Sequence, residues 1–233
     1  MINARKMTER RRLLNAVLWA VCSMSVPINM ASASALIDAG EAVEGVVTDI
    51  RYAGKNNFLG RPVAGYGAAK CWLSQEATSA LTKAQRLAET QGLAILIYDC
   101  FRPQRAVDDF VRWVSGNEDE PSKATYYPNV ARRELIERGY IASRSGHSRG
   151  STIDLTLIAK GNGQPLNMGT PWDYFDARSH TASKEIVGDA AKNRQILKRI
   201  MESAGFRGYY AEWWHFTLEN EPFPDRYFDI PIQ

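Results

Sequence analysis

The sequence predicts an α+β domain. Apolar runs of strand length and amphipathic helical stretches interleave along the chain, but without the regular strand–helix–strand rhythm of a doubly wound sheet. The 233 residues show no internal repeat, low-complexity block or interdomain linker. That length suits a single globular domain with a substantial core.

The first segment stands apart from this domain. Arg5, Lys6 and Arg10-Arg11-Arg12 precede a mainly apolar run from Leu13 to Val26, and Ala31-Ser-Ala33-Ser-Ala35 follows with small residues at alternate positions. This is the layout of a secretory signal, too short in its apolar part for a membrane span. We therefore expect residues 1–35 to be a signal cleaved near Ala35, residues 36–233 to be the working domain, and the product to be periplasmic with no lasting membrane anchor. Of the 29 Lys/Arg and 26 Asp/Glu, residues 1–35 hold five and one, which leaves 24 and 25. The formal charge of +3 thus belongs to the signal, and a basic face for nucleic acid is not supported. Cys22 leaves with the signal, so Cys71 and Cys100 remain. An oxidising compartment permits a bridge between them, worth ~3–4 kcal/mol for a loop of this length, but two separate buried thiols are an equal alternative. No Cys-x-x-Cys spacing marks them as metal ligands. Oligomeric state is not legible.

Along the domain, Gly45 to Tyr52 reads as a strand, followed by a turn-rich stretch to Pro62. Ser74 can cap a helix to Gln91, with Ala77, Leu81, Ala84 and Ala88 at helical spacing and Gly92 beyond the end. Leu93-Ala-Ile-Leu-Ile-Tyr-Asp99 is a strand buried on both faces. Pro103 can start a helix with Val107, Phe110 and Trp113-Val114 on its apolar face. Glu118 to Pro128 reads as a polar loop, and Asn129 as the cap of a short helix to Arg138. A strand follows at about Ser151 to Ile158, then a long Gly- and Pro-containing loop in which His180 should face solvent. Asn193 to Ala204 is an amphipathic helix, and Tyr209 to Leu218 a final strand in which Trp213 and Trp214 serve packing.

Two short segments carry the chemistry. The chain has three histidines, and two of them lie beside carboxylates in Ser145-Gly-His147-Ser-Arg-Gly150-Ser-Thr-Ile-Asp154 and Glu212-Trp-Trp-His215. Strand alternation puts Ile153, Leu155 and Leu157 on one face and Thr152, Asp154 and Thr156 on the other. Asp154 is then a carboxylate in an apolar strand, costly unless it pairs or binds a metal. Gly150 can make the turn that swings His147 back towards it. Neutral imidazoles and a carboxylate are the ligands a catalytic zinc takes, with one coordination position left open. His147, Asp154 and His215 are the candidate ligands. The spacing of Glu212 from His215 suits a general base at the mouth of a strand. Arg102, placed just after a buried strand, could stabilise a developing oxyanion or hold a carboxylate.

Ser-x-His-x6-Asp joined to Glu-x-x-His resembles the zinc D,D-peptidases of hedgehog-type fold. The stretches Ser145–Leu157 and Glu212–Phe216 are similar to the VanX-type D-alanyl-D-alanine dipeptidases in particular. Asp99-Cys-Phe-Arg-Pro103, Asp49-Ile-Arg-Tyr-Ala53 and Met168-Gly-Thr-Pro-Trp-Asp173 extend the likeness over nearly all of residues 45–218. The resemblance implies a central antiparallel sheet flanked by helices and one zinc per chain. It also implies hydrolysis of D-alanyl-D-alanine, with Glu212 as base and Arg102 as transition-state stabiliser; the expected export links that activity to peptidoglycan turnover. Tyr52, Ser145 and Asp173 would bind the dipeptide, Asp173 near its amine. A murein D,D-carboxypeptidase or endopeptidase is the alternative within the class, and a zinc module that binds without cutting is the alternative outside it. Gly146 departs from the family, where a second Ser is common.

Overall fold

Strand β4 (Leu93–Asp99) is an inner strand of the main sheet and, as its uninterrupted apolar run requires, is buried from Ala94 to its end. The computed structural model describes residues 35–117 and 120–233; the expected signal, Ala35 apart, and the acidic pair Glu118-Asp119 lie outside them. Before β4 come β1 (Ile37–Asp38), a single-turn helix α1 (Ala39–Ala42), β2 (Val47–Thr48), β3 (Trp72–Leu73) and helix α2 (Gln75–Glu89). After it come α3 (Gln104–Val114), α4 (Glu120–Tyr126), β5 (Thr152–Ala159), α5 (Gly188–Ala204), β6 (Phe206–Tyr209) and β7 (Glu212–Leu218).

The main sheet has the order β2-β4-β5-β7-β6, and β1 pairs with β3 in a separate ribbon. Every pairing in the main sheet is antiparallel except β2 with β4. That parallel pair needs a crossover, which α2 provides. The α+β expectation holds, with this one parallel edge added to it.

Helix α2 forms where its spacing predicts. The Ser74 side chain accepts a hydrogen bond from Ala77 N at 3.2 Å, and Ala77, Leu81, Ala84 and Ala88 are all buried. The three alanines let the helix sit closely on β4 and α5. Helix α3 begins after Pro103 and buries Val107, Phe110, Trp113 and Val114. Cys71 and Cys100 are joined in a disulfide, with Cα atoms 5.1 Å apart. Of the two alternatives for these cysteines, the bridge is the one present. It ties the residue before β3 to the residue after β4.

Four expectations need correction. Residues Gly45 to Tyr52 do not form one strand: only Val47–Thr48 pair, and Arg51–Ala53 is a 3-10 turn. The Asn57 side chain competes with the sheet there, donating to the carbonyls of Arg51, Gly54 and Arg61 at 3.1, 2.9 and 3.0 Å. The polar stretch before Pro128 contains helix α4, in whose first turn Pro121 is tolerated. Tyr126 and Tyr127 are buried beneath it. No helix runs from Asn129 to Arg138; a 3-10 turn, Arg132–Glu134, stands there. Asn129 is turned to Asp176, donating at 2.7 Å, and Val130, Leu135 and Ile141 all point into the core. Finally, the last strand is a hairpin, β6 and β7, turning at Tyr210–Ala211.

Candidate active site

The site grows from the register of three strands. Asp99 on β4 pairs with Asp154 on β5, and Asp154 pairs with His215 on β7. Three polar side chains thus stand in one row across the sheet. His147 reaches this row from the side, on the 3-10 turn Gly146–Arg149. Gly150 closes that turn with φ +77°, a conformation glycine adopts without the strain a Cβ would bring. Ser145 caps the turn, its Oγ accepting from His147 N at 3.3 Å. Gly146 also has a packing reason: a Cβ there would meet Thr152 Oγ1 at 2.8 Å.

His147 Nδ1 lies 2.6 Å from the Cys100 carbonyl oxygen. A carbonyl only accepts, so Nδ1 carries the proton and Nε2 offers a lone pair. That Nε2 is 3.2 Å from Asp154 Oδ1 and 3.3 Å from His215 Nδ1, and His215 Nδ1 is 3.1 Å from the same Asp154 oxygen. The three atoms form a near-equilateral triangle. Ligand atoms about 2.0 Å from a tetrahedral zinc are separated by about 3.3 Å. Asp154 Oδ1 is itself buried without a hydrogen-bond donor, although the two imidazole nitrogens lie within ion-pair distance. The tautomer of His147 contributes to this: its Nε2 has no proton to give, so a lone pair faces the carboxylate. Only a cation or added protons make such a cluster favourable. The residues present therefore fit a metal, and the His147, Asp154 and His215 ligand atoms are the group among the described residues placed to hold one.

Charge around the triangle points the same way. Asp99, Asp154, Asp173 and Glu212 crowd one guanidinium, that of Arg102. Arg102 donates through Nε and Nη2 to Asp99 Oδ2 at 3.0 and 2.8 Å, and its Nη2 is 3.6 Å from Asp154 Oδ2. Burial pushes the Glu212 carboxyl well above its usual range, helped by the charges of Asp154 and Asp173. Asp173 is raised likewise, by burial and then by Asp154. Asp154 goes the other way: burial resists its ionisation, but positive charge and donated protons at His147 and His215 hold it below the ordinary carboxylate range, a part a metal cation would take over. His215 is lowered, first by burial, which favours the neutral ring a metal needs. Glu212 opens β7, with its Oε2 3.6 Å from His215 Nδ1.

These groups line a cavity of ≈ 190 Å³, smaller than the ~300–1,000 Å³ typical of drug-sized ligand sites. Tyr52, Arg102, Ser145, His147, Asp154, Asp173, Glu212 and His215, all singled out from sequence, are on its wall. Tyr52 is buried, its hydroxyl donating to Asp173 Oδ2 at 2.6 Å and its ring 5.0 Å from the Arg102 guanidinium. Asp173 has φ +57°, the one non-glycine residue with positive φ among those described. It is held there by a loop clamped from behind. The buried Arg194 of α5 donates to the carbonyls of Met168, Arg178 and His180 at 2.6, 2.8 and 2.8 Å and to Thr170 Oγ1 at 3.1 Å. With no carboxylate partner in this clamp, burial brings the Arg194 guanidinium down to about 10.

Sequence reasoning missed the residues that hold these groups. Asp99 had no assigned role, yet it anchors Arg102 and accepts from Tyr66 at 2.6 Å; a carboxylate ending an apolar strand was the available signal. Tyr140, Arg144 and Tyr209 also line the cavity, and nothing in their local spacing marks them. Arg149 braces the turn, donating to Glu221 at 2.7 and 2.8 Å. Trp213 and Trp214 are buried, as strand packing required. His180, expected in solvent, is half-buried with its ring 5.8 Å from Tyr210.

The D-Ala-D-Ala dipeptidase family of M15 peptidases matches residues 32–233. The chain belongs to that family. It is 46% identical over 193 residues to a D-alanyl-D-alanine dipeptidase of Enterococcus faecium, covering 83% of this chain and 96% of that protein. A Streptomyces coelicolor protein of the same name is 46% identical over 82% and 95%. An Escherichia coli one is 32% identical over 81% and 87%. The family resemblance seen in the motifs is thereby established over the whole domain. No helix among the described residues is long and apolar enough to cross a membrane.

Proposed function

We propose that this chain is a zinc dipeptidase that hydrolyses D-alanyl-D-alanine to two molecules of D-alanine. The observation that carries the reading is the triangle of His147 Nε2, Asp154 Oδ1 and His215 Nδ1, three acceptor atoms facing one point beside Glu212. Relatives named D-alanyl-D-alanine dipeptidase at 46% identity supply the substrate class. Zinc bound by the three residues would supply Lewis acidity, polarising the peptide carbonyl and lowering the pKa of water to about 7.

This chain's own residues do the rest. Glu212, raised by burial but ionised once a metal cation beside it offsets that burial, takes the proton of the attacking water at its carboxylate and passes it to the leaving amine. Arg102, held rigidly by Asp99, presents a fixed positive charge to the oxygen on which negative charge develops. Asp173, with the Tyr52 hydroxyl on its Oδ2, faces the substrate amine, whose charge offsets the cost of a buried carboxylate. Ser145 stands beside the ligand turn, where its hydroxyl can meet the dipeptide. The aromatic walls exclude bulk water. The small cavity favours a free dipeptide over the end of a longer stem peptide.

We place the enzyme in the periplasm, in turnover of wall fragments. The signal-like layout of residues 1–35 and the Cys71–Cys100 disulfide, a bond typical of oxidising compartments, support this. Comparing free D-alanyl-D-alanine with a muropeptide ending in the same dipeptide tests the substrate. We expect kcat/KM to favour the free dipeptide by on the order of 100-fold; equal or faster cleavage of the muropeptide would assign the chain to D,D-carboxypeptidases.

A further inference from the structure

We propose that Cys100, locked to Cys71, is a positioning residue for the metal site, so that reducing the disulfide weakens metal binding. The inference rests on the metal reading above but concerns residues outside the ligand set. The Cys100 carbonyl is the acceptor for His147 Nδ1–H at 2.6 Å. That bond fixes which nitrogen of His147 carries the proton and aims Nε2 at Asp154. Partners of this kind typically change metal affinity by about 10–100-fold when lost.

The disulfide determines where that carbonyl sits. Cys100 follows β4 and lies between Asp99 and the segment leading to Arg102. Across from it, Cys71 enters β3, and the two segments are further joined where Phe101 N donates to the Trp72 carbonyl at 2.9 Å. The same β3 segment holds the ligand turn from its other end: Ser74 N donates to the Gly150 carbonyl at 2.7 Å, and the Ser74 and Ser151 hydroxyls lie 3.0 Å apart. Arg102 completes the frame, its N donating to the His147 carbonyl at 3.3 Å and its carbonyl accepting from Ser148 Oγ at 2.8 Å. The bridge therefore closes a ring of backbone contacts around His147. Both cysteines are fully buried, at 0% and 1% exposure. Opening the bridge removes the covalent tether between these segments, and two thiol sulfurs cannot approach as closely as two bonded ones, so the segments part where close packing leaves no spare room. The displacement falls on the Cys100 carbonyl and, through it, on His147.

In the reducing step a phosphine breaks the S–S bond and becomes its oxide. Water supplies the oxygen and the two protons that complete the thiols. The experiment compares the full-length mature protein, oxidised and after such reduction and desalting, in competition for Zn2+ with a chromophoric chelator and in the visible spectrum of its Co2+ form. We expect the Zn2+ dissociation constant to rise 10–100-fold on reduction, the Co2+ bands to change, and reoxidation to restore both. A Cys71→Ala/Cys100→Ala variant, which loses the tether without the crowding of two thiols, provides a second measurement should the reduced protein unfold; it should weaken Zn2+ binding in the same direction with its circular dichroism unchanged. Zn2+ affinity within twofold of the oxidised protein and an unaltered Co2+ spectrum, in the reduced protein or in the folded variant, would overturn the inference. If the oxidised protein binds neither ion, the metal reading itself fails instead.

Discussion

The two halves of the cavity are built differently. The candidate metal ligands sit on paired strands and one capped turn, where β-register alone sets Asp154 against His215. The candidate substrate residues sit on irregular backbone: Tyr52 on a 3-10 turn stapled by Asn57, and Asp173 in the left-handed region on a loop stapled by Arg194. Strand pairing distributes its restraint over many hydrogen bonds, so one substitution at Asp154, Glu212 or His215 should change chemistry and leave position intact; the His147 turn, held by the bridge, is the exception. A stapled loop concentrates its restraint in one side chain, so one distant substitution on the substrate side should move the site.

The largest effect tests the metal side. Glu212→Gln keeps the shape and removes the base; kcat on D-alanyl-D-alanine should fall by about 10²–10⁴, with zinc content measured by mass spectrometry unchanged. Turnover at the wild-type rate would remove Glu212 from the base role. On the substrate side, Arg194→Met leaves three carbonyls and the Thr170 hydroxyl without their shared donor, at a cost of about 1–3 kcal/mol for an unsatisfied buried group. We expect KM to rise several-fold while zinc affinity holds, the opposite split from Glu212→Gln. Loss of zinc together with KM would show that the two halves are one unit.

The smallest effect tests a staple through pH. Asp109 on α3 accepts from Arg61 at 2.7 and 3.0 Å and from Ala64 N at 3.2 Å, pinning the loop that leads from Tyr52 to Tyr66. The Arg61 hydrogen bonds, foremost, hold the Asp109 carboxyl below its usual range. A depressed folded pKa stabilises at pH above the unfolded value and loses that contribution as pH falls through the folded one. With Arg61 half-exposed, the pair is worth about 1 kcal/mol or less. Urea midpoints of wild type and Asp109→Asn should therefore differ slightly at pH 7 and converge as pH falls below the ordinary carboxylate range. A gap that persists in acid would mean the carboxylate charge is not what holds the loop.

The same contrast explains what could be read from the sequence. The buried run of β4, the face of α2 and the alternation around Asp154 are local periodicities, and each appears where the pattern puts it. His147, Asp154, Glu212 and His215 were legible because rare residue types recur at short, fixed spacings. The loops were not. Asn129 donates to Asp176, a partner no window around it contains, and Asn57 folds its own neighbourhood into a turn by donating to nearby carbonyls, which strand periodicity does not show; so one expected helix and one expected strand are turns. Arg194 looks like an ordinary polar position on an amphipathic helix, and only the tertiary structure shows it holding the loop of Asp173. Whether Cys71 and Cys100 met was a question of distance, and spacing carries none.

The central claim is that one metal sits at the meeting point of β5, β7 and the His147 turn. An anomalous-difference map at the zinc edge, from crystals of the zinc-loaded protein, tests it most directly. It should show a single peak per chain in contact with His147 Nε2, Asp154 Oδ1 and His215 Nδ1, and crystals of His215→Ala should lose it. A peak elsewhere, or one undiminished in His215→Ala, would contradict the account.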